Sequence, residues 1–212
     1  MDRRKITVIG AGQVGATTAQ RLVEKNVADV ILVDIVEGLA QGKALDLTQA
    51  APIVGYESHV IGSTSYEATA DSHVVIITSG VPRKRGMSRD ELLATNARIV
   101  QSVTREAVAR SPRAILIVVS NPLDAMTYVA HKTSGFPPQR VLGMAGILDS
   151  GRFRAFLAQE LNVSPRDVAT LVLGGHGDTM VPCLEFTQVA GVPVRHLICE
   201  DRLRALVERT RN

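Results

Sequence analysis

Short apolar runs and longer stretches of helical periodicity alternate along the first two-thirds of the chain. The runs are rich in Val and Ile and apolar at consecutive positions, as expected of strands buried on both faces of a parallel sheet. Predicted strands cover residues 5–9, 30–33, 59–61, 73–78, 114–119 and 140–142. Predicted helices cover residues 13–25, 37–49, 89–110 and 123–133. This alternation predicts an α/β fold built on a doubly wound parallel sheet.

The helix predicted at residues 89–110 has the clearest pattern. Ser88 followed by Glu91 predicts a capping box at its start. Its predicted apolar face consists of Leu92, Leu93, Ile99, Val100, Val103 and Ala107. Side chains at these spacings lie on one side of a helix, so we expect this face to pack against the sheet.

The pattern changes after about residue 145. The sequence predicts a helix at 150–161, an apolar run at 168–173 and a hairpin at 185–194 that turns at Ala190-Gly191. A last helix at 200–211 reaches the end of the chain without a capping signal. We therefore expect two domains, 1–145 and 146–212, the second being part of an α+β domain.

Composition narrows the function classes. Aromatic residues make up 3% of the chain and Trp is absent, which argues against a carbohydrate site or a base-stacking platform. The net charge of +3 comes without a nucleic-acid motif, so no nucleic-acid partner is expected. No apolar run approaches the roughly 20 residues of a membrane span. Cys183 and Cys199 have no metal-ligand spacing and suit free thiols, so we expect a cytoplasmic protein without a metal.

A glycine motif follows the first predicted strand. Gly10, Gly12 and Gly15 form G-x-G-x-x-G at a strand–helix junction, where helix N–H groups can bind a pyrophosphate. Asp34 stands 19 residues after Gly15 at the end of the second predicted strand. A carboxylate there binds ribose hydroxyls and repels a 2′-phosphate, which favours NAD over NADP. Alternatively, the motif is only a tight turn and Asp34 caps a helix.

Four cationic residues follow Gly80 in the segment after the fourth predicted strand: Arg83, Lys84, Arg85 and Arg89. They are either a solvated charge run or a binding site for an anionic substrate closed under a mobile loop. Arg89 favours the second interpretation, because a cation in the first turn of a helix opposes the helix dipole.

Three further residues could carry chemistry. Asp149 and Arg152 are three residues apart near a predicted helix start and can share a helix face. His176 stands between Gly175 and Gly177, which leave its imidazole open to a ligand. In isolation, Asp149 could be a helix cap, Arg152 a surface charge and His176 a structural or exposed residue.

Together these segments resemble the lactate/malate dehydrogenase family. The matching stretches are ITVIGAGQVG, LVDIVEGLAQGKALDL, GVPRKRGMSRDELLATNARI, VVSNPLDAMTYVA, GMAGILDSGRFR and GGHGDTMVP. They extend through nearly the whole chain. The resemblance implies a Rossmann-type NAD-binding domain followed by the first part of a substrate domain, and reversible oxidation of a 2-hydroxy acid with hydride transfer to NAD.

The family pattern implies a role for each matching residue. His176 would accept the proton of the substrate hydroxyl, and Asp149 would hold its ring and stabilise the imidazolium. The implied substrate-binding residues are Arg83, Arg89, Asn121 and Arg152. The implied cofactor-binding residues are Gly10, Gly12, Gln13, Val14, Gly15, Asp34, Asn96, Val119 and Asn121.

Arg83 decides the substrate expected from the resemblance. It lies six residues before Arg89, where the malate enzymes of the family have an arginine and the lactate enzymes usually a glutamine. A second guanidinium suits the distal carboxylate of malate or oxaloacetate. Two alternatives stay open: a dehydrogenase of another 2-hydroxy acid, foremost lactate, and an NAD-binding module without turnover.

Family members are longer than this chain, so the resemblance implies that the C-terminal part of the second domain is absent. Without it, we expect Leu203, Leu206 and Val207 to lack packing partners and to expose apolar surface. The family forms dimers and tetramers, so a homodimer or homotetramer is expected.

Overall fold

The computed structural model describes residues 3–82, 85–177 and 179–211. The chain divides into two compact units, Met1–Gly143 and Met144–Asn212. Within the described ranges, every helix is too short or too polar to cross a membrane.

The first unit is built on a six-stranded parallel sheet. Its strands are β1 (Lys5–Ile9), β2 (Asp29–Val33), β3 (Val60–Ser63), β4 (Val74–Ile77), β5 (Ile115–Val118) and β6 (Val141–Gly143). The strand order is β3-β2-β1-β4-β5-β6, and each neighbouring pair is parallel. In this order the direction of winding reverses between β1 and β4, which creates a ligand-binding crevice at the carboxyl ends of these strands. The predicted doubly wound, Rossmann-type fold is confirmed.

Four helices connect these strands: α1 (Gln13–Glu24), α2 (Leu39–Val54), α3 (Arg89–Arg110) and α4 (Leu123–Ser134). α2 continues past its predicted end at residue 49. Pro52 lies in the last turn of this helix, two residues before its end. Gly55 then ends the helix in the left-handed conformation, with φ of 88°.

The predicted capping box of α3 is confirmed, since Ser88 and Glu91 bond each other's backbone N–H reciprocally. The predicted apolar face was partly wrong. The fully buried positions are Asn96, Val100, Thr104 and Ala107, whereas Leu93 is 38% exposed. Two polar side chains therefore occupy the buried side of this helix.

The second unit combines two helices with short strands. Its elements are α5 (Gly146–Leu161), β7 (Val168–Ala169), β8 (Val172–Leu173), β9 (Val181–Pro182), β10 (Gln188–Val189), β11 (Val192–Pro193) and α6 (Glu200–Arg211). The predicted hairpin is present, because β10 and β11 pair antiparallel on either side of Ala190-Gly191. The apolar run at 168–173 is not one strand: β7 pairs with β10, and β8 pairs with β9.

The last helix is packed, contrary to the prediction that its apolar residues would lack partners. Leu203 is 0% exposed and Leu206 is 2% exposed. Both belong to a buried cluster with Phe153 and Leu157 of α5, and Val207 packs partly buried against the same cluster. The apolar face of α6 therefore packs against the hydrophobic core of the second unit itself.

Candidate functional site

The candidate residues fall into two sets, one in each unit. The first unit carries the glycine motif, Asp34, Arg89, Asn96, Val119 and Asn121, and the second carries Asp149, Arg152 and His176. Arg83 and its neighbour Lys84 lie outside the described residues. Among the residues that the structure describes, no group of three or more His, Cys, Asp or Glu side chains could hold a metal ion.

The glycine motif forms the turn from β1 into α1. Gly10 has φ of 104°, a conformation that side chains disfavour. A Cβ on Gly15 would overlap the carbonyl oxygen of Gly10, so helix and strand can approach only without a side chain there. A Cβ on Gly12 would meet nothing within 4 Å, so the space above this residue is open. No side chain caps α1, whose N-terminal N–H groups therefore face a space that suits a pyrophosphate.

Three hydroxyl groups hold the strand ends around this turn. The Thr78 Oγ1 hydroxyl donates to the Gly10 carbonyl at 3.1 Å, and Ser79 Oγ donates to the Ile9 carbonyl at 3.0 Å. Ser120 Oγ, after β5, donates to the Ser79 carbonyl at 2.6 Å. These bonds join the carboxyl ends of β1, β4 and β5. The sequence analysis missed them, because hydroxyl residues after a strand have no distinctive spacing.

Asp34 directly follows β2 and is held against the glycine turn. Its Oδ2 accepts a hydrogen bond from Ala11 N–H at 2.7 Å, and its Oδ1 accepts one from Val36 N–H at 3.0 Å. The alternative that Asp34 caps a helix is wrong, because α2 begins at Leu39 with Gly38 as its N-cap. The carboxylate is thus fixed at the edge of the turn, at the place expected for ribose recognition.

Tyr66 is half-buried near this carboxylate. Burial, together with the negative charges of Glu106 and Asp34, raises the pKa of Tyr66 to about 12. The phenol therefore stays neutral at physiological pH and adds no charge beside Asp34.

Asn96 and Asn121 are linked by a direct hydrogen bond. Asn96 Nδ2 donates to the Asn121 carbonyl at 2.7 Å and to the Val81 carbonyl at 3.2 Å, while its Oδ1 accepts from Val81 N–H at 2.8 Å. Both donor hydrogens of the Asn96 amide are therefore used within the protein. Asn121 lies exposed between β5 and α4, before a cis bond to Pro122. Val119 is half-buried at the end of β5, where its N–H donates to the Ile77 carbonyl.

Arg89 is the first residue of α3 and is exposed. Its positive charge interacts unfavourably with the helix dipole, as the sequence predicts. The negative charges of Asp90 and Glu91 in the same turn interact favourably with that dipole. The structure leaves the Arg89 guanidinium accessible to an anion.

In the second unit, half-buried His176 pairs with buried Asp149. His176 Nδ1 and Asp149 Oδ2 are 2.9 Å apart, with the Asp149 side chain only 3% exposed and that of His176 21% exposed. Because a carboxylate accepts at Nδ1, this nitrogen carries the proton and the lone pair of the imidazole lies on Nε2. Such a histidine can act as a general base and is stabilised by the carboxylate when it becomes charged.

α5 begins at Gly146 rather than at the predicted residue 150, so Asp149 lies within its first turn. The alternative of Asp149 as a helix cap is wrong, because Ala145 is the N-cap. The dipole at the start of α5 favours a carboxylate at this position.

Arg152 lies one turn further along α5. Its Nη1 is 4.0 Å from Asp149 Oδ1 and donates to the Thr210 carbonyl at 3.1 Å. Its side chain is 36% exposed, so the guanidinium is neither enclosed nor a freely solvated surface charge. The remaining N–H groups of an arginine fork can bind a carboxylate.

Comparisons with known proteins place both units in one family. Residues 4–143 match the family described as lactate/malate dehydrogenase, NAD binding domain, and residues 147–212 match its alpha/beta C-terminal domain. The chain is 62% identical over 210 residues to a malate dehydrogenase of Thermomicrobium roseum, covering 99% of this chain and 68% of the relative.

Solved structures give the same result. A malate dehydrogenase from Salinibacter ruber superposes with a TM-score of 0.93 at 53% identity, covering 98% of this chain and 66% of that one. A lactate dehydrogenase from Cryptosporidium parvum, solved with lactic acid and the nicotinamide cofactor, has a TM-score of 0.93 at 45% identity and covers 100% of this chain and 68% of its own. The chain thus spans about two-thirds of the length of these relatives. It belongs to the lactate/malate dehydrogenase family.

Proposed function

We propose that the protein is an NAD-dependent malate dehydrogenase, which oxidises (S)-malate reversibly to oxaloacetate. The observation that carries this proposal is the pair of His176 and Asp149, whose Nδ1 and Oδ2 atoms are 2.9 Å apart, with the carboxylate buried. It is an oriented base of the kind that removes a hydroxyl proton. Relatives that are 62% and 61% identical and are named malate dehydrogenase support the choice of reaction.

The residues of the first unit fit NAD. The open space above Gly12 and the N-terminus of α1 suit the pyrophosphate, and Asp34 suits the ribose hydroxyls. We assign to the cofactor site Gly10, Gly12, Gln13, Val14, Gly15, Asp34, Asn96, Val119 and Asn121. When bound, NAD supplies the acceptor for the hydride that leaves C2 of malate.

His176 and Asp149 have complementary roles in the proposed reaction. His176 Nε2 takes the proton of the malate hydroxyl as the C2–H bond breaks, and it returns this proton when oxaloacetate is reduced. Asp149 keeps Nδ1 protonated and stabilises the imidazolium formed in the step.

Four residues are proposed to bind the dicarboxylate. Arg152 grips the 1-carboxylate through two parallel N–H groups. Arg89 polarises the carbonyl of oxaloacetate, and Asn121 orients it. Arg83 binds the distal carboxylate and thereby selects a four-carbon dicarboxylate.

Lactate oxidation is the second candidate. The support for it is the similarity to the Cryptosporidium parvum lactate dehydrogenase, which is 45% identical over the whole of this chain. The side chain at position 83 argues against it, because an arginine without a distal carboxylate is left with an unpaired charge.

The purified chain is expected to oxidise NADH rapidly with oxaloacetate and slowly with pyruvate. Asp34 should also make NADPH a poor substitute, by about a hundredfold in kcat/KM, because its carboxylate repels the 2′-phosphate. Both preferences are measured by stopped-flow absorbance at about 340 nm, where reduced nicotinamide absorbs, on the four combinations of cofactor and acid. A preference for pyruvate would support the lactate candidate. NADH binding without turnover of either acid would support a binding module.

We also propose that the protein forms a homodimer or homotetramer in the cytoplasm and acts in the tricarboxylic acid cycle. The support for self-association is the exposure of apolar side chains on α2, where Leu45, Ile53 and Val54 are 56%, 88% and 54% exposed. Its free cysteines, Cys183 and Cys199, suit a reducing compartment.

Ile53→Glu is expected to shift the protein toward a smaller species in sedimentation velocity, because a buried unpaired carboxylate disfavours an apolar interface. Gln101→Glu, on the exposed side of α3, adds the same charge and should leave the sedimentation coefficient unchanged. An oligomer that is equally stable in both variants would show that α2 is not the contact surface.

A further inference from the structure

One backbone N–H of β8 has no acceptor in the strand beside it. β8 pairs antiparallel with β9, with Val172 opposite Pro182, and Cys183 N–H donates to the Leu171 carbonyl at 2.8 Å. Hydrogen-bonded and non-hydrogen-bonded pairs alternate along an antiparallel ladder, so the N–H and the carbonyl of Val172 face away from β9. Val172 is 1% exposed, and a buried N–H without an acceptor is costly. This N–H therefore needs a partner outside the sheet.

α5 supplies that partner. Ser150 Oγ accepts from Val172 N–H at 2.9 Å. Gly146, the first residue of α5, lies against the carbonyl of the same residue, since a Cβ on Gly146 would be 3.0 Å from the Val172 oxygen. Ser150 and Gly146 are four residues apart, so both belong to the face that α5 presents to β8. The hydroxyl of one and the missing Cβ of the other set how closely the helix and the strand approach.

This contact joins the two elements that carry the His176–Asp149 pair. Asp149 directly precedes Ser150 in α5, and His176 lies three residues after the end of β8 at Leu173. His176 Nδ1 and Asp149 Oδ2 are 2.9 Å apart. A hydrogen bond of this kind weakens steeply with distance and misalignment, so a small shift of β8 along α5 would loosen the pair.

We propose that Ser150 is a positioning residue for the proton transfer. Its hydroxyl, together with Gly146, holds β8 in register against α5 and thereby keeps Nδ1 of His176 on the Asp149 carboxylate. Ser150 acts through the Val172 backbone and not by binding the substrate. The kinetic consequence rests on the proposed function, whereas the effect on the His176–Asp149 pair does not.

Four variants test the proposal. Ser150→Ala removes the acceptor, Ser150→Thr keeps the hydroxyl, and Gly146→Ala adds a Cβ against the Val172 carbonyl while Ser150 stays in place. Alanine is a better helix former than glycine, so a stability effect alone would not make Gly146→Ala harmful. Ser164→Ala is the matched control, because Ser164 Oγ also accepts a backbone N–H, that of Arg166, but is exposed and outside α5 and β8.

The pair itself is observed without substrate or cofactor, from the ¹⁵N chemical shifts of the His176 ring at mildly alkaline pH. These shifts report which ring nitrogen carries the proton, which is set by the hydrogen bonds of the ring. The Nδ1–H form should predominate in the original protein, in Ser150→Thr and in Ser164→Ala. In Ser150→Ala and Gly146→Ala the Nε2–H form should become populated beside it. Melting temperatures establish that each variant is folded.

Ser150→Ala is expected to lower kcat for oxaloacetate reduction about 30-fold, since a misplacement of about 1 Å can cost about 100-fold. KM for oxaloacetate should change by less than about threefold, because Arg152 keeps its place in α5. Gly146→Ala should lower kcat in the same way without a lower melting temperature. Ser150→Thr should restore kcat to within about threefold, and Ser164→Ala should match the original protein.

An unchanged ring tautomer in a folded Ser150→Ala variant would overturn the proposal, whatever its kinetics. A rise in KM as large as the fall in kcat would also overturn it and would indicate that Ser150 binds the substrate directly. If Ser150→Ala does not fold, Gly146→Ala decides through its ring tautomer and its kcat. If the original protein does not reduce oxaloacetate, the proposed function fails, and the ring tautomer still tests the attachment of β8 to α5.

Discussion

Replacing His176 by asparagine is expected to lower kcat for oxaloacetate reduction about 1,000-fold, the usual contribution of a positioned acid–base group being about 10² to 10⁴. The asparagine amide can still donate to Asp149 in place of Nδ1–H, so the buried carboxylate keeps a partner and the second unit should stay folded. What the variant lacks is a group that can take or give the substrate proton.

The His176 measurement is steady-state NADH oxidation at saturating oxaloacetate, with NADH affinity determined separately by fluorescence. His196→Asn is the matched control, since His196 is an exposed histidine of the same unit. NADH affinity should be unchanged in both variants. A kcat within about tenfold of the original protein would remove His176 from the role of proton acceptor.

Replacing Arg83 by glutamine is expected to change substrate preference rather than abolish activity. The ratio of kcat/KM for oxaloacetate to that for pyruvate should fall about 1,000-fold, because the distal carboxylate loses its charged partner and pyruvate no longer leaves a guanidinium unpaired. Both values are measured by NADH oxidation under identical conditions.

The Arg83 experiment also tests the register of the cationic segment. Arg85→Gln removes one charge two residues away and is the control, since Arg85 is exposed. A larger change of preference in Arg85→Gln than in Arg83→Gln would move the specificity role to Arg85. Equal small effects in both would favour a solvated charge run.

Local patterns predicted the first unit well. Each of the six parallel strands was recognised from its apolar run, and α3 was predicted with its observed ends because the Ser88–Glu91 capping box marks its start. These signals lie within a few residues of the element that they specify. The glycine motif and Asp34 were found for the same reason, since the spacing between them is fixed by one strand–helix–strand unit.

What the sequence did not reveal depends on contacts between distant residues. The hydrogen bonds of Asn96 and Ser120 are made to backbone carbonyls that no local spacing identifies. The burial of Leu206 depends on its packing against residues of α5, so the expectation of an exposed apolar surface was wrong. The start of α5 at Gly146 was missed because glycine is a poor helix former and no side chain caps that end.

α5 also sets the spacing between two groups that are proposed to bind one end of the substrate. It carries Arg152 directly, and it holds His176, which lies between β8 and β9, through Asp149, three residues before Arg152. The two groups proposed to contact C1 and C2 of the substrate are therefore both held by one helix. The helix rises about 1.5 Å per residue, and this spacing cannot stretch to match another arrangement of carboxylate and oxygen. In the proposed binding mode, an acid with its hydroxyl on the carbon next to the carboxylate satisfies this spacing, and a 3-hydroxy acid does not. Under the proposed assignment, the second unit selects 2-hydroxy acids as a chemical class, and Arg83 of the first unit selects the length of the acid.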